Sequence, residues 1–261
     1  MPCGAVSICL VSLFQGWPGA KIVFFDCDST LAGIEGIDEL AARCKVDVSA
    51  LTRAAMSGEI PLDEVFRKRL ELISPSKRDV DWVVDRYRAT ELSSAKAVIT
   101  SLQDLGIPVH VISGGLLPAV APFAEHLGIA KNAIHAVPFP LAEGNLAEAI
   151  DTACAHPLAR DGGKPEVIAQ VCAALDLDPK EAMLIGDGAS DLEAASMLGL
   201  FVGFGGVVTR DRVRDEAPVF LPGPELAGVA LLAAGSEGAS ELEALHPHLF
   251  AAAQQQLDLV K

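Results

Sequence analysis

The chain has 261 residues, 51% of them apolar, enough to bury one large core or a core with an insertion and so to exclude a disordered polypeptide. Thirty-five acidic residues against twenty basic ones give a net charge of −15, which leaves no broad basic footprint and argues against nucleic acid as a partner. The six cysteines, at positions 3, 9, 27, 44, 154 and 172, form neither a C-x-x-C pair nor a zinc-spaced cluster; they read as free thiols of a reducing cytoplasm.

Residues 1–20 carry an apolar centre but only uncharged side chains, superficially like a secretory signal. No basic residue precedes the apolar part, Trp17-Pro18 interrupts the would-be cleavage region, and a run of about ten apolar residues is too short to span a bilayer. An extra packed strand or a disordered lead-in is expected there, and no membrane partner. Strand-like runs then recur at Ile22 to Phe25, Val109 to Ile112, Met183 to Ile185, Leu200 to Phe204 and Val219 to Leu221. Helical patterns lie between them: in "ELSSAKAVITSLQDLG" the residues Val98, Ile99, Leu102 and Leu105 share one face and Gly106 supplies the stop. Alternation of this kind predicts an α/β fold, a Rossmann-like core with a parallel sheet.

The spacing is uneven. Residues 33–91 hold four helix-period segments, "GIDELAARC", "VSALTRAAM", "LDEVFRKRLELI" and "VDWVVDRYRA", without a strand, which predicts a helical cap inserted after the first strand. The core is then expected over 21–32 and 92–222, with a small hairpin insertion at about 136–150 around Glu143-Gly144-Asn145 and a helical tail over 223–261.

Parallel sheets bind ligands beyond the carboxyl ends of their strands. Asp26, Asp28, Ser29 and Thr30 follow the first strand, Ser113-Gly114-Gly115 the second, and Gly186-Asp187-Gly188 with Asp191 a later one; "DGGKPEVI" adds Lys164. Four carboxylates at one sheet edge repel unless a cation sits among them, and a hard divalent ion with oxygen ligands, Mg²⁺ above all, suits Asp26, Asp187 and a backbone carbonyl near Asp28. The other groups suit an anion. Ser113 donates a hydroxyl, the glycines let N–H groups approach, and Lys164 stands before Pro165, a residue at home as the first of a helix. Together they point to a phosphoryl group.

D-x-D-S-T, S-G-G after a strand, a lysine opening a helix, and G-D-G-x-S-D, in that order over residues 21–191, resemble the four signatures of the haloacid dehalogenase superfamily of phosphotransferases. In the cap, "EGIDELA", "TRAAMSGEIP" and "RKRLELISPS" are similar to the phosphoserine phosphatase branch of that superfamily, and "FVGFGGVVTR" fits it too. The resemblance implies a Mg²⁺-dependent cytoplasmic hydrolase of O-phospho-L-serine that completes serine biosynthesis. It assigns Asp26 as nucleophile and Asp28 as general acid and base, Ser113 and Lys164 as holders of the phosphoryl oxygens beside Gly114 and Gly115, and Asp191 as an orienting group behind the metal. It also implies substrate contacts at Glu35 (ammonium), Arg69 (carboxylate), Met56 (carbon chain) and Ser190. Leu62 stands where the family often has Phe, and Ser57 where glycine is common. These departures keep open a relative acting on another small phosphate ester, or passing the phosphoryl group to an acceptor such as homoserine. A phosphoserine-binding protein without catalysis is the reading from another class, and the retention of both Asp26 and Asp28 speaks against it. Oligomeric state is not legible, a homodimer being one form kept open.

Overall fold

Six strands organise the chain; the computed structural model describes residues 16–51, 60–141 and 145–260. Strand β1 (Ile22–Phe25) is apolar throughout and buried on both faces, as the middle of a parallel sheet requires. Three described helices follow it, α1 (Gly36–Arg43), α2 (Leu62–Ile73) and α3 (Lys77–Ala89), and α1 packs against both others. A reciprocal Ser76–Asp79 capping box starts α3, whose Val80, Val83, Val84 and Tyr87 turn inward. On its outer side Trp82 lies under the guanidinium groups of Arg43 and Arg86, 5.2 and 5.8 Å from the ring centre.

Helix α4 (Ala95–Asp104) leads to β2 (Val109–Leu116), followed by α5 (Leu117–His126) and β3 (Ile134–Val137). Helices α6 (Leu146–Cys154) and α7 (Gly163–Ala174) precede β4 (Ala182–Gly186) and the short α8 (Ala189–Leu192). Then come β5 (Leu200–Phe204), α9 (Asp211–Glu216), β6 (Val219–Leu221), α10 (Ala227–Leu245) and α11 (Pro247–Leu257). All neighbouring strands pair in parallel, in the order β3-β2-β1-β4-β5-β6, with Val23 opposite Val109 and Phe25 opposite Ile185. The chain runs outward from β1 to β3, returns to β4, and continues to the other edge. The reversal puts β1, β2 and β4 side by side, so the ends of these three strands share one crevice. The fold is α/β with a parallel sheet and a helical insertion after the first strand.

Four local expectations are corrected. Strand β2 continues through Leu116 with a register shift between Ile112 and Leu116, so Ser113-Gly114-Gly115 belongs to an irregular strand end rather than to a loop. Strand β3 is additional. Of the stretch expected to form a hairpin, residues 142–144 lie outside the described residues, while its described flanks are β3 and helix α6, which the Asn145 side chain caps by accepting from Glu148 N at 3.3 Å. Pro165 is the third residue of α7 rather than the first, with Gly162 as the cap.

Residues 1–15 lie outside the described residues, and so does the strand expected there. From Trp17 onward the lead-in to β1 forms no strand but is bound to α10: Trp17 Nε1 donates to Leu232 O at 2.7 Å and Ala20 N to Ala233 O at 2.8 Å. The approach is close enough to need glycine, since a Cβ on Gly235, where α10 kinks with φ of 60°, would stand 2.3 Å from Gly19 N. Helix α10 packs in turn on α4 and α11, and α6 packs on α2, where Arg67 and Asp151 pair at 2.8 Å. Among the described residues no helix is long and apolar enough to cross a membrane.

Candidate active site

The exit of β1 builds the floor of the site. Asp26 N donates to Ile185 O at 2.9 Å, extending the ladder with β4 by one residue and fixing where the carboxylate emerges. Asp26 Oδ1 accepts from Cys27 N at 2.8 Å and stands 3.0 Å from Lys164 Nζ. Cys27 is wholly buried, and burial, then the charges of Asp28 and Asp26, push its thiol well above the ordinary range. The N–H groups of Thr30, Leu31 and Ala32 converge on Cys27 O, and Ser29 turns through the left-handed region with φ of 52°. This tight turn carries Asp28 back to the cavity. Asp28 Oδ2 accepts from Gly36 N at 3.1 Å and Oδ1 from Tyr87 Oη at 2.5 Å. Burial, reinforced by the Glu35 charge, pushes the Asp28 carboxyl up to about 8.

A second group comes from α7 and the β4 exit. Lys164, buried in the first turn of α7, reaches Asp191 Oδ1 at 2.6 Å as well as Asp26. Although burial disfavours its charge, Asp191 and Asp26 hold the ammonium above its ordinary range. Asp191 Oδ2 accepts from Gly188 N at 3.0 Å, so both oxygens of this wholly buried side chain are committed. Asp187 pairs with Arg210 Nε at 2.9 Å; burial and the Asp26 charge push its carboxyl up to about 7 against the pull of that guanidinium. Arg210 also reaches Glu35 Oε1 at 2.9 Å, where Ser29 Oγ donates at the same distance. Burial raises the Glu35 carboxyl, and Arg210 opposes it.

Carboxylate oxygens of Asp26, Asp187 and Asp191 lie within 4.8 Å of one another, all buried. One ammonium and one guanidinium face these three acids. An oxygen-only donor set with a residual negative charge fits a hard divalent cation. Asp26 and Asp187 are the members with an oxygen to spare, since Asp191 is held on both.

The anion side is formed by β2 and α2. Ser113 is buried, its Oγ accepting from Gly115 N at 2.9 Å. Arg69 on α2 enters from above, its Nη2 bound to Asp38 of α1, while its buried Nε has no partner among the described residues. Asp26, Asp28, Glu35, Arg69, Ser113, Gly114, Gly115, Lys164, Asp187 and Ser190 all line one cavity of about 200 Å³. Asp191 lies beneath it. Met56 and Ser57 lie outside the described residues.

Sequence reasoning overlooked three contributors. Arg210 closes "FVGFGGVVTR" just past β5, and its place beyond a strand's carboxyl end was the available signal. Asp38, in the first turn of the helix that Glu35 precedes, braces Arg69. Tyr87 looked like one more inward position of an amphipathic helix.

The family description "haloacid dehalogenase-like hydrolase" matches residues 20–199, and the chain belongs to that family of hydrolases. Within it, the chain is 35% identical over 205 residues to the phosphoserine phosphatase of Bos taurus, covering 77% of this chain and 89% of the bovine one. It is 31% identical over 185 residues to the phosphoserine phosphatase of Halobacterium salinarum, covering 70% of this chain and 84% of that one. A solved structure described as a substrate-bound phosphoserine phosphatase complex superposes with a TM-score of 0.68 at 25% identity, over 80% of this chain and 96% of that one.

Proposed function

We propose that this chain is a phosphoserine phosphatase, hydrolysing O-phospho-L-serine to L-serine and inorganic phosphate with Mg²⁺ in the cytoplasm, the last step of serine biosynthesis. The observation that carries the reading is the convergence on one cavity of a paired Asp26, an Asp28 held on both oxygens, the Lys164 ammonium, and the acid and base Glu35 and Arg69 suited to an amino acid's two charges. A cavity of about 200 Å³ suits a small ester rather than a polymer.

Asp26 Oδ1 is engaged by Lys164 and Cys27 N, which leaves Oδ2 as the attacking oxygen. Attack on phosphorus forms an aspartyl phosphate while Asp28 gives its proton to the departing seryl oxygen. Asp28 then takes a proton from the water that releases phosphate from Asp26. Lys164 and Ser113 hold the phosphoryl oxygens as charge builds on them, and Gly114 and Gly115 leave room for close approach. Asp26, Asp187 and the Asp28 carbonyl would hold Mg²⁺, which offsets the repulsion between carboxylate and phosphate dianion. Asp191 keeps Lys164 in place. Glu35 takes the substrate ammonium and Arg69, anchored by Asp38, its carboxylate, with Met56 against the carbon chain and Ser190 at the rim.

Purified protein supplied with Mg²⁺ is expected to release phosphate from phosphoserine in preference to other small phosphate esters, and to stop with chelator. Asp26→Asn should abolish both turnover and the acid-stable, base-labile phosphoenzyme. Tight binding without turnover, or a preference for transfer to homoserine over water, would overturn the assignment.

A further inference from the structure

The inward face of α3 ends in a contact that packing alone does not call for. Tyr87 is 0% exposed, its ring stacked on Phe123 with centroids 5.4 Å apart and planes 13° from parallel. Its hydroxyl has one hydrogen-bond partner among the described residues, Asp28 Oδ1 at 2.5 Å. Asp28 has two contacts of this kind, Tyr87 Oη and Gly36 N, one on each oxygen. The hydroxyl reaches it through a slot kept open by two glycines. A Cβ on Gly36 would stand 2.1 Å from Tyr87 Oη, and one on Gly115 would stand 3.3 Å from it. Three separate elements, α1, β2 and α3, are thus shaped around one phenol oxygen.

We propose that Tyr87 is a positioning residue for Asp28, fixing the rotation of its carboxyl group toward the oxygen that leaves phosphorus; this rests on the acid and base role given to Asp28 above. The Gly36 amide holds one oxygen from the backbone but leaves the carboxyl plane free to swing about that contact. The hydroxyl on the other oxygen removes the swing. The hydroxyl donates to Oδ1 when Asp28 is ionised and equally when the acid proton sits on the other oxygen, so the Tyr87 contact survives both half-reactions. The proton count stays balanced without it. In the first step the P–O(seryl) bond breaks, the Asp26–phosphorus bond forms, and the Asp28 proton passes to the seryl oxygen. In the second, water oxygen bonds to phosphorus, the Asp26–phosphorus bond breaks, and a water proton passes to Asp28. Tyr87 keeps its own proton throughout.

The leaving group separates positioning from mere support of the fold. A serine alkoxide must be protonated as it departs, whereas p-nitrophenolate leaves readily as an anion. Tyr87→Phe retains the ring, its volume and its stack on Phe123, and a thermal melt checks that the fold is kept. The variant is expected to lower kcat/KM for phosphoserine by about 10- to 100-fold. For p-nitrophenyl phosphate, whose kcat/KM reports steps up to formation of the phosphoenzyme, the loss should stay within about 3-fold. Asp28→Asn, measured alongside, should show the same selectivity more strongly. If Asp28→Asn is selective and Tyr87→Phe lowers both substrates alike, or neither, the positioning role is wrong while the acid and base assignment stands. If Asp28→Asn itself shows no leaving-group selectivity, both fall together.

Discussion

Replacing Lys164 by methionine removes the ammonium beneath the cavity and exposes what it balances. Its Nζ lies 2.6 Å from Asp191 and 3.0 Å from Asp26, and side-chain exposure is 5% for Lys164 and 0% for Asp191. With an effective dielectric constant of about 20, each contact is worth roughly 6 kcal/mol of Coulomb attraction before desolvation is subtracted. Breaking a buried pair by deleting one partner typically costs about 3–5 kcal/mol, because the survivor stays buried without its counter-charge. In the presence of chelator Lys164→Met should lose that much unfolding free energy, read from urea transitions followed by Trp17 and Trp82 fluorescence, and with Mg²⁺ supplied it should lose at least ~10³-fold in phosphate release. Adding Asp191→Asn separates the two effects. The amide oxygen still accepts from Gly188 N and no uncompensated charge remains at that position, so about half the stability should return while activity does not. A Lys164→Met protein within about 1 kcal/mol of the parent, or a double variant with restored turnover, would refute the reasoning.

Arg69→Lys loses the planar fork that lets one side chain hold Asp38 and a second carboxylate together. KM for phosphoserine should rise about 10- to 100-fold while O-phosphoethanolamine, which lacks the carboxylate, is hardly affected; an equal rise for both would remove Arg69 from substrate recognition. Away from the site, His110 packs on Phe24 and its Nδ1 meets His135 Nε2 at 3.0 Å. Burial, then the charge of His135, depresses the His110 pKa from 6.5 to about 4. The unfolded chain therefore takes up a proton that the folded one refuses, so this contribution is complete above pH 6.5 and is lost as pH falls toward 4. His110→Gln should flatten the dependence of the urea midpoint on pH across that window, and unchanged slopes would contradict the assignment.

The acids of the candidate site were readable from sequence because electrostatics makes them conspicuous. Asp26 and Asp28 end an apolar strand, where like charges need a reason, and Asp187 sits between glycines after another. Residues that act through distant partners leave no such mark. Arg210 meets Glu35 across 175 positions and Tyr87 meets Asp28 across 59, and neither separation follows any period. Local signals also misled where one residue type serves two purposes. Asn145 beside Gly144 reads as a turn, yet its side chain begins α6. Strand β3 was hidden because His135 and Ala136 dilute its apolar run, and Ser113-Gly114-Gly115 read as following its strand because glycine is rare inside strands. In the two strand cases the sheet neighbour decided the outcome.

Cys27 sits between Asp26 and Asp28, yet its sulfur belongs to the core. Oxidants and alkylating agents attack the thiolate, and here ionisation would place a negative charge in a fully desolvated position beside two acids. Burial and the neighbouring acids therefore favour the protonated thiol. A cysteine beside an acidic cluster can be the point where oxidative stress enters; in this chain burial first, and then the acids on either side, disfavour the thiolate on which that chemistry depends.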